Sequence, residues 1–257
     1  MPLLEHLSLF LISLVANVLS AMAGGGAGLL QLPALIFLGL PLSMALATHK
    51  IATVALGLGA TLKHVREGHL RWGFAALMLA AGLPGVLVGA NIILSVPPAP
   101  AEFALGVLTL GLGVYSLFKK QLGQQYQPWH RDMTGYSVGA LGLFLLGVLN
   151  GSLTSGTGLF VTVWLITWFG LDFKRATAYT MILVGLFWNG TGALALALQT
   201  PVKWAWLPAL LLGSLVGGYV GAFLAIRYAN PVIKRVFEVV TMAMGLALIL
   251  QAVRALL

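Results

Sequence analysis

The stretch Ala23-Gly24-Gly25-Gly26-Ala27-Gly28 interrupts an otherwise continuous apolar run near the start of the chain. A second interruption, Thr154-Ser155-Gly156-Thr157-Gly158, follows about 130 residues later in a similar setting. Glycine has no Cβ and adopts positive φ readily, so such runs let the backbone leave a helix. Inside a bilayer, the freed backbone groups are tolerated only where protein or a water-filled cavity surrounds them. We therefore predict that residues 23–28 (break 1) and residues 154–158 (break 2) face each other and form a binding site.

The composition places the chain among integral membrane proteins. Hydrophobic residues make up 60% of the sequence and charged residues only 8%, with a mean hydropathy of +0.99, which is far outside the range of soluble domains. The net charge of +8 comes without any lysine- or arginine-rich tract, so no nucleic-acid partner is expected. The absence of cysteine excludes disulfides and thiolate metal sites. No metal site, cofactor or catalytic residue set is expected.

Ten apolar segments follow one another, five on each side of a polar linker. They cover residues 3–23, 28–40, 42–64, 72–95 and 101–118, and then residues 133–153, 158–170, 174–198, 203–227 and 232–254. Most are about 20 residues or longer, enough to cross about 30 Å of hydrocarbon. The segment after each break is too short to cross alone. The prediction is an all-α polytopic membrane protein with about eight full spans, or with six spans and two re-entrant hairpins.

The two series of segments are related as copies. Trp72 falls on Trp204 at a shift of 132 residues, and Gly26 falls on Gly156 at a shift of 130. Chance matches are common in a sequence of this composition, so no single match proves a repeat. The evidence for the repeat is that the shift stays nearly constant over the whole half. The sequence predicts a first membrane repeat over residues 1–120, a linker over 121–131 and a second repeat over 132–257.

The positive charges predict the orientation of the repeats. Eleven of the fourteen Lys and Arg residues form four clusters: Lys63, Arg66 and Arg71; Lys119, Lys120 and Arg131; Lys174 and Arg175; and Arg227, Lys234 and Arg235. Counting one change of side per crossing puts all four on one side, which the positive-inside rule makes cytoplasmic. The linker is then cytoplasmic, and the repeats are inverted relative to each other. Inverted repeats with short, glycine-interrupted segments are typical of transporters with a site near the bilayer midplane.

The chain resembles the TauE/SafE family of sulfite and organosulfur-anion exporters of the bacterial inner membrane. The residues that carry the resemblance are Gly24-Gly25-Gly26-Ala27-Gly28, Pro33, Gly39-Leu40-Pro41, Ala47-Thr48 with Lys50, Gly82–Gly89, Gly147 to Gly158, Ala178 to Thr180, and Asn189. The resemblance covers essentially the whole chain. It implies a transporter of two related halves that moves small sulfur-containing anions. Break 2 has Ser-Gly-Thr-Gly in place of consecutive glycines, which leaves the identity of the anion open.

The breaks have the chemistry of an anion site. A half-helix that starts at Gly28 and another at Gly158 would each aim free N–H groups and a positive dipole end at the break, where an anion can bind. The alternative is that the glycines only allow close helix packing. The candidate binding residues of the breaks and their neighbours are Gly24, Gly25, Gly26, Gly28, Gln31, Asn150, Ser152, Thr154, Ser155, Gly156, Thr157 and Gly158.

Lys50 is the main candidate for a fixed positive charge. It lies about two turns into an apolar segment, and ionisable residues in such segments usually mark a substrate path or an ion pair. The alternative is that its side chain reaches back to the interface. Further candidate lining residues are Thr48, His49 and Thr53, with Thr180 and Asn189 in the equivalent segment of the second half. For His49 a structural hydrogen bond, and for Thr180 and Asn189 an interhelical one, are the alternatives.

These patterns predict a secondary transporter that exports a small anion by alternating access; sulfite, or a related sulfur oxyanion or organosulfonate, is what the resemblance implies. An anion channel and a non-catalytic membrane scaffold subunit are the alternatives. Protons are a candidate coupling ion, and Glu238 in the last segment could carry them, although pairing with Arg235 would neutralise it. The other expected partners are the lipid bilayer and, as a candidate assembly, a second copy in a homodimer.

Overall fold

The computed structural model describes residues 2–65, 70–93, 97–152 and 156–256, which form ten helices and no strand. The helices are α1 (Pro2–Ala23), α2 (Ala27–Phe37), α3 (Leu42–His64), α4 (Trp72–Ile92), α5 (Pro98–Phe118), α6 (Met133–Ser152), α7 (Thr157–Phe169), α8 (Phe173–Ala197), α9 (Leu207–Arg227) and α10 (Asn230–Leu256). A short 3₁₀ turn, Trp204–Trp206, leads into α9. Thr154 and Ser155 of break 2, and Arg66 of the first basic cluster, lie outside the described residues.

Among the described residues, seven helices are long and apolar enough to cross a membrane: α1, α3, α4, α6, α8, α9 and α10. Helix α5 has 21 residues, of which Thr109–Phe118 is a described apolar stretch. Helices α2 and α7 have only 11 and 13 residues, or about 17 and 20 Å at 1.5 Å per residue, which is less than the hydrocarbon thickness. The all-helical membrane architecture and the short helix after each break are confirmed.

Helix α7 returns to the level at which α6 begins. The side chains of Trp129, His130 and Arg131, just before α6, donate hydrogen bonds to the carbonyls of residues 167–169 at 3.1, 2.8 and 3.2 Å. These are carbonyls of the last turn of α7, which have no partner inside the helix. The α6–α7 pair is therefore a hairpin whose two open ends lie side by side.

The long helices pack in pairs through small residues. Helix α1 packs on α9, α4 on α6 and α5 on α10, while α3 packs on both α8 and α9. A methyl group added to Gly57 of α3 would lie 2.4 Å from the backbone of Gly185 in α8, so the two backbones approach as closely as glycine allows. Helices α3 and α8 are also the most buried of the candidate spans, at 67% and 61% of their apolar windows. They form the centre of the bundle.

Part of α8 is a π-helix, which the sequence did not indicate. The predicted segment 174–198 contains π-helical turns over Thr180–Trp188. Thr180 and Asn189 are nine residues apart, about two and a half turns of an α-helix, so a regular helix would point them in opposite directions. The wider i→i+5 turns bring both side chains to the same cavity.

Glu238 is engaged at the interface between α5 and α10. Its carboxylate accepts hydrogen bonds from Lys234 Nζ and, at 3.1 Å, from Ser116 Oγ. The predicted partner Arg235 is more distant, with Nη1 3.8 Å from Glu238 Oε2. The alternative of a neutralised Glu238 therefore holds in this structure, but the main partner is Lys234, which the sequence did not indicate.

Candidate functional site

The two breaks face each other in direct contact. Gly24, Gly25 and Gly26 have φ values of 85, 141 and 101°. Residues with a Cβ atom rarely adopt these backbone conformations. A methyl group added to Gly25 would lie 2.5 Å from the backbone of Gly158. The space between the breaks therefore excludes any side chain at this position, and the sequence correctly predicted that the breaks meet.

Both short helices start at this contact. The residue before α2 is Gly26 and the residue before α7 is Gly156, and both are left-handed, with φ values of 101 and 74°. Glycine has no side chain that could cap the first N–H groups of a helix. The positive dipole ends of α2 and α7 are thus directed toward the breaks from opposite halves of the chain.

Thr162 of α7 links break 1 to α8, and sequence reasoning missed it. Its hydroxyl donates to the carbonyl of Gly24 at 2.7 Å and contacts Thr180 Oγ1 at 3.0 Å. The Gly24 carbonyl lies just after the C-terminus of α1, where carbonyl groups have no hydrogen-bond donor within the helix. The signal for Thr162 was its position as a hydroxyl residue in the apolar segment of α7.

A cavity of about 30 Å³ lies between the breaks. The predicted residues that line it are Gly25, Gly26, Gly28, His49, Thr53, Asn150, Thr157, Gly158, Thr180 and Asn189. The remaining lining residues are Ser20, Ala27, Leu56, Met181, Val184 and Gly185, which were not predicted. A cavity needs about 10–15 Å³ to hold one water molecule, so this one has room for about two.

Lys50 is completely buried next to this cavity. Its exposed fraction is 0%, which excludes the alternative that the side chain reaches the interface. Lys50 Nζ donates to the backbone carbonyl of Asn150 at 2.7 Å and to Asn150 Oδ1 at 3.1 Å. Lys50 forms no ion pair with the described residues. The hydrogen-bond partners of its ammonium group are therefore neutral.

The end of α6 holds the Lys50 ammonium in place. Asn150 belongs to the last turn of α6, where carbonyls lack helical partners and the negative end of the helix dipole favours a cation. On the other side, a methyl group added to Gly192 of α8 would lie 2.9 Å from Lys50 Nζ. Asn150 Nδ2 in turn donates to Thr157 Oγ1 at 3.0 Å and Asn189 Oδ1 at 3.2 Å. The charge is thus connected to break 2 and α8 through Asn150.

His49 belongs to a second polar network beside the cavity. His49 Nδ1 donates to Gln31 Oε1 at 3.0 Å, and Gln31 Nε2 donates to Ser13 Oγ at 3.2 Å. Ser13 continues the network to Ser214 of α9 at 2.9 Å. The hydrogen-bonded alternative for His49 therefore holds in this structure, while its ring still lines the cavity.

Two other predicted residues have hydrogen-bond partners away from the cavity. Thr48 Oγ1 accepts from the backbone N–H of Lys203 at 3.0 Å. Ser152 donates to the carbonyl of Val148 in its own helix at 2.9 Å. Gly24 and Gly156 shape the breaks without lining the cavity, and Thr154 and Ser155 lie outside the described residues.

Ser20 is a lining residue that the repeat could have identified. It is buried, and its hydroxyl has no hydrogen-bond partner among the described residues. The shift of 130 that aligns the two breaks maps Ser20 onto Asn150. An unsatisfied buried hydroxyl costs about 1–3 kcal/mol, which makes Ser20 a donor that is ready to bind a polar group.

The family model described as "Sulfite exporter TauE/SafE" matches residues 9–248. The chain is 28% identical over 245 residues to the probable membrane transporter protein ORF9 of Sinorhizobium sp, covering 94% of this chain and 91% of the relative. It is 27% identical over 241 residues to the probable membrane transporter protein YfcA of Escherichia coli strain K12, covering 94% and 88%. No solved structure matches. The family match spans nearly the whole chain, so this multi-pass membrane protein is a transporter rather than an enzyme and belongs to the TauE/SafE sulfite exporter family.

Proposed function

We propose that the protein is a secondary transporter that exports a small anion across the bacterial inner membrane by alternating access. The observation that carries the proposal is the contact between the two breaks beside the buried Lys50. Sulfite, or a related sulfur oxyanion or organosulfonate, is the proposed substrate because the family is described by sulfite export. Lys50, the cavity-lining residues and the two helix N-termini are the proposed binding elements.

The sign of the substrate is argued from the electrostatics of the site. A buried ammonium is costly unless it is paired with an opposite charge, and Lys50 has only neutral partners among the described residues. The dipole ends of α2 and α7 add positive potential at the same place. An anion bound between the breaks would be stabilised by all three and would offset the cost of burying Lys50.

Alternating access is supported by the closure of the site. A cavity of about 30 Å³ is too small for a sulfur oxyanion, which has at least four heavy atoms, so the anion can bind only after the breaks or the Asn150 side chain move. Most of the helix pairing fits two inverted halves, since the repeat shift exchanges the pair α1–α9 with the pair α4–α6 and maps α3–α8 and α5–α10 onto themselves; the extensive packing of α3 on α9 has a weaker counterpart in α8 on α4. We infer six crossings and two re-entrant hairpins, α1–α2 and α6–α7, because α7 returns to the start of α6.

The proposed inversion predicts the sides on which two exposed residues lie. Single cysteines at Gln125, in the linker, and Gln199, before α9, are expected to react with a membrane-impermeant maleimide from opposite sides of the membrane. The chain has no cysteine of its own, so each label reports one position. Labelling of both residues from the same side would contradict the inverted arrangement.

The transport activity predicts a saturable flux in liposomes. The purified wild-type protein should move sulfite faster than chloride, and the relative rates for sulfate, thiosulfate and short sulfonates would identify the substrate. An imposed pH gradient tests whether protons are the coupling ion. Steady single-channel currents in planar bilayers would instead support the channel alternative, and absence of anion flux under all these conditions would contradict transport.

A further inference from the structure

A second, larger cavity lies at the start of α8, away from the breaks. It has a volume of about 180 Å³. The residues that give it its chemistry are three arginines and two tyrosines: Arg71, Arg131, Arg175, Tyr126 and Tyr179. They come from the start of α4, the linker and α8, three separate parts of the chain. We call this cavity the arginine pocket.

We propose that the arginine pocket binds a small oxyanion of the sulfate or sulfonate class. The pocket shares no lining residue with the cavity between the breaks. Binding there does not require that the protein transports anything. Only the further role of the pocket, loading an anion before export from the cytoplasmic side, rests on the proposed function.

The charges around the pocket are incompletely compensated. Arg175 forms an ion pair with Asp172, with 2.5 Å between Nη1 and Oδ2. Arg131 donates one hydrogen bond to the carbonyl of Phe169 and stacks over the Phe74 ring at 4.8 Å, but it has no carboxylate partner in the described part of the chain. The guanidinium of Arg71 makes no hydrogen bond or ion pair with the described residues. Two positive charges thus share the pocket, and guanidinium groups match oxyanions in geometry as well as charge.

Tyr179 adds a fixed neutral donor to the pocket. Its hydroxyl oxygen accepts the backbone N–H of Arg71 at 2.6 Å, so its own hydrogen must point elsewhere, and it has no acceptor among the described residues. The residue is only 3% exposed. A buried hydroxyl donor without an acceptor favours a ligand that accepts hydrogen bonds, and an oxyanion does so through every oxygen.

The size of the pocket restricts the ligand to a small one. Pockets for drug-sized ligands measure about 300–1,000 Å³, whereas the arginine pocket has about 180 Å³. An ion with a few heavy atoms fits this space, and a nucleotide does not. The aromatic wall formed by Phe74 and Tyr126 could also cover the short carbon chain of a sulfonate.

The pocket is built at only one of two equivalent places. At the other end of the bundle, the backbone N–H of Lys203 donates to Thr48 Oγ1 at 3.0 Å, which is the counterpart of the bond from Arg71 to Tyr179, since Arg71 maps onto Lys203 at a shift of 132 residues. There Lys203 Nζ lies over the Trp206 ring at 5.6 Å, and a threonine, Thr48, replaces the tyrosine at a shift of 131 residues. The concentration of arginines at one end gives this face its preference for anions.

Sulfate binding to the protein in phosphatidylcholine nanodiscs, measured by calorimetry at constant ionic strength, tests the proposal. We expect Arg71→Gln and Arg131→Gln each to weaken binding about tenfold or more, since each substitution removes a charge-assisted hydrogen bond to the anion. Lys119→Gln and Lys120→Gln remove exposed charges near the same face but outside the pocket, and should change the affinity less than about twofold. Arg71→Gln keeps the test valid if Arg131→Gln fails to fold, because the Arg71 side chain has no internal partner among the described residues.

Two further arms identify the source and the place of the anion. If phosphatidylglycerol in the nanodiscs abolishes sulfate binding, the natural oxyanion is a lipid phosphate; if it does not, the ligand is a soluble anion. Both results support an oxyanion site. Absence of sulfate binding in phosphatidylcholine, or unchanged affinity in both arginine variants, would overturn the proposal. Loss of binding in Lys50→Gln alone would assign the sulfate to the breaks and would also overturn it.

Discussion

Replacing Gly25 by alanine is expected to abolish anion flux and to reduce the yield of folded protein. The new methyl group would lie 2.5 Å from the backbone of Gly158, which cannot move aside as a side chain can. Overpacking of this kind typically costs about 1–3 kcal/mol, and the φ of 141° at Gly25, in a region that is essentially restricted to glycine, adds about 1–3 kcal/mol. Together these are a large part of the roughly 5–15 kcal/mol that stabilises a folded protein. Thermal unfolding in detergent and sulfite flux in liposomes measure the two effects.

Two other glycines separate the contributions of contact and backbone strain. Gly39 has a φ of 96° with nothing within 4 Å of an added methyl group, so Gly39→Ala should lower the unfolding temperature slightly and leave flux close to wild type. Gly158→Ala has no positive φ but creates the same contact, with its methyl group 2.9 Å from Gly25 Cα. It should therefore impair flux as Gly25→Ala does. Normal flux in both Gly25→Ala and Gly158→Ala would show that the breaks need not touch for transport.

Replacing Lys50 by glutamine is the second change with a large expected effect. Glutamine can still donate a hydrogen bond toward the Asn150 carbonyl, so that carbonyl need not lose its partner, but the positive charge is gone. Interactions with a charged donor contribute about 1.5–3 kcal/mol, which corresponds to a roughly 10- to 100-fold lower rate of anion flux. The matched control is Lys63→Gln, the same substitution in the same helix at a partly exposed position.

The sequence alone predicted the helices and the contact between the breaks, because both depend on local features of the sequence. Runs of about 20 apolar residues can only be helices in lipid, and consecutive glycines mark where a helix stops. The boundaries of the short helices differ from the predicted ones by at most a few residues; the segment 28–40 became Ala27–Phe37. The burial of Lys50 was also foreseeable from its distance to the end of its segment.

The partners of the site residues could not be predicted in the same way, because they depend on how distant helices pack. Lys50 and Asn150 are 100 residues apart, and neither segment contains a pattern that predicts their contact. The π-helical turns in α8 are a second example, since they change which residues face the cavity. The segment Thr180–Trp188 contains no proline and one glycine, Gly185, and this composition does not distinguish a π-helix from an α-helix. Gln31 was predicted as a donor for the anion, yet it bonds to His49, a choice that only the packing of α2 on α3 decides.

The arginine pocket shows a further limit of sequence reasoning. Arg71, Arg131 and Arg175 were grouped into three different basic clusters and used only to assign the cytoplasmic side. Their convergence on one cavity depends on the linker folding back over the ends of α7 and α8, where Phe173 N–H donates to the Gly123 carbonyl at 2.9 Å. The number of positive charges in each loop predicts which side of the membrane the loop lies on. The folded structure is needed to show which of those charges lie in the same cavity.

The initial rate of sulfite flux in liposomes that contain equal amounts of folded wild-type, Lys50→Gln or Lys63→Gln protein tests the role of the buried charge most directly. We expect Lys50→Gln to be slower than wild type by roughly 10- to 100-fold and Lys63→Gln to be within about twofold of wild type. Equal rates for wild type and Lys50→Gln would contradict an anion site built from the two breaks and Lys50.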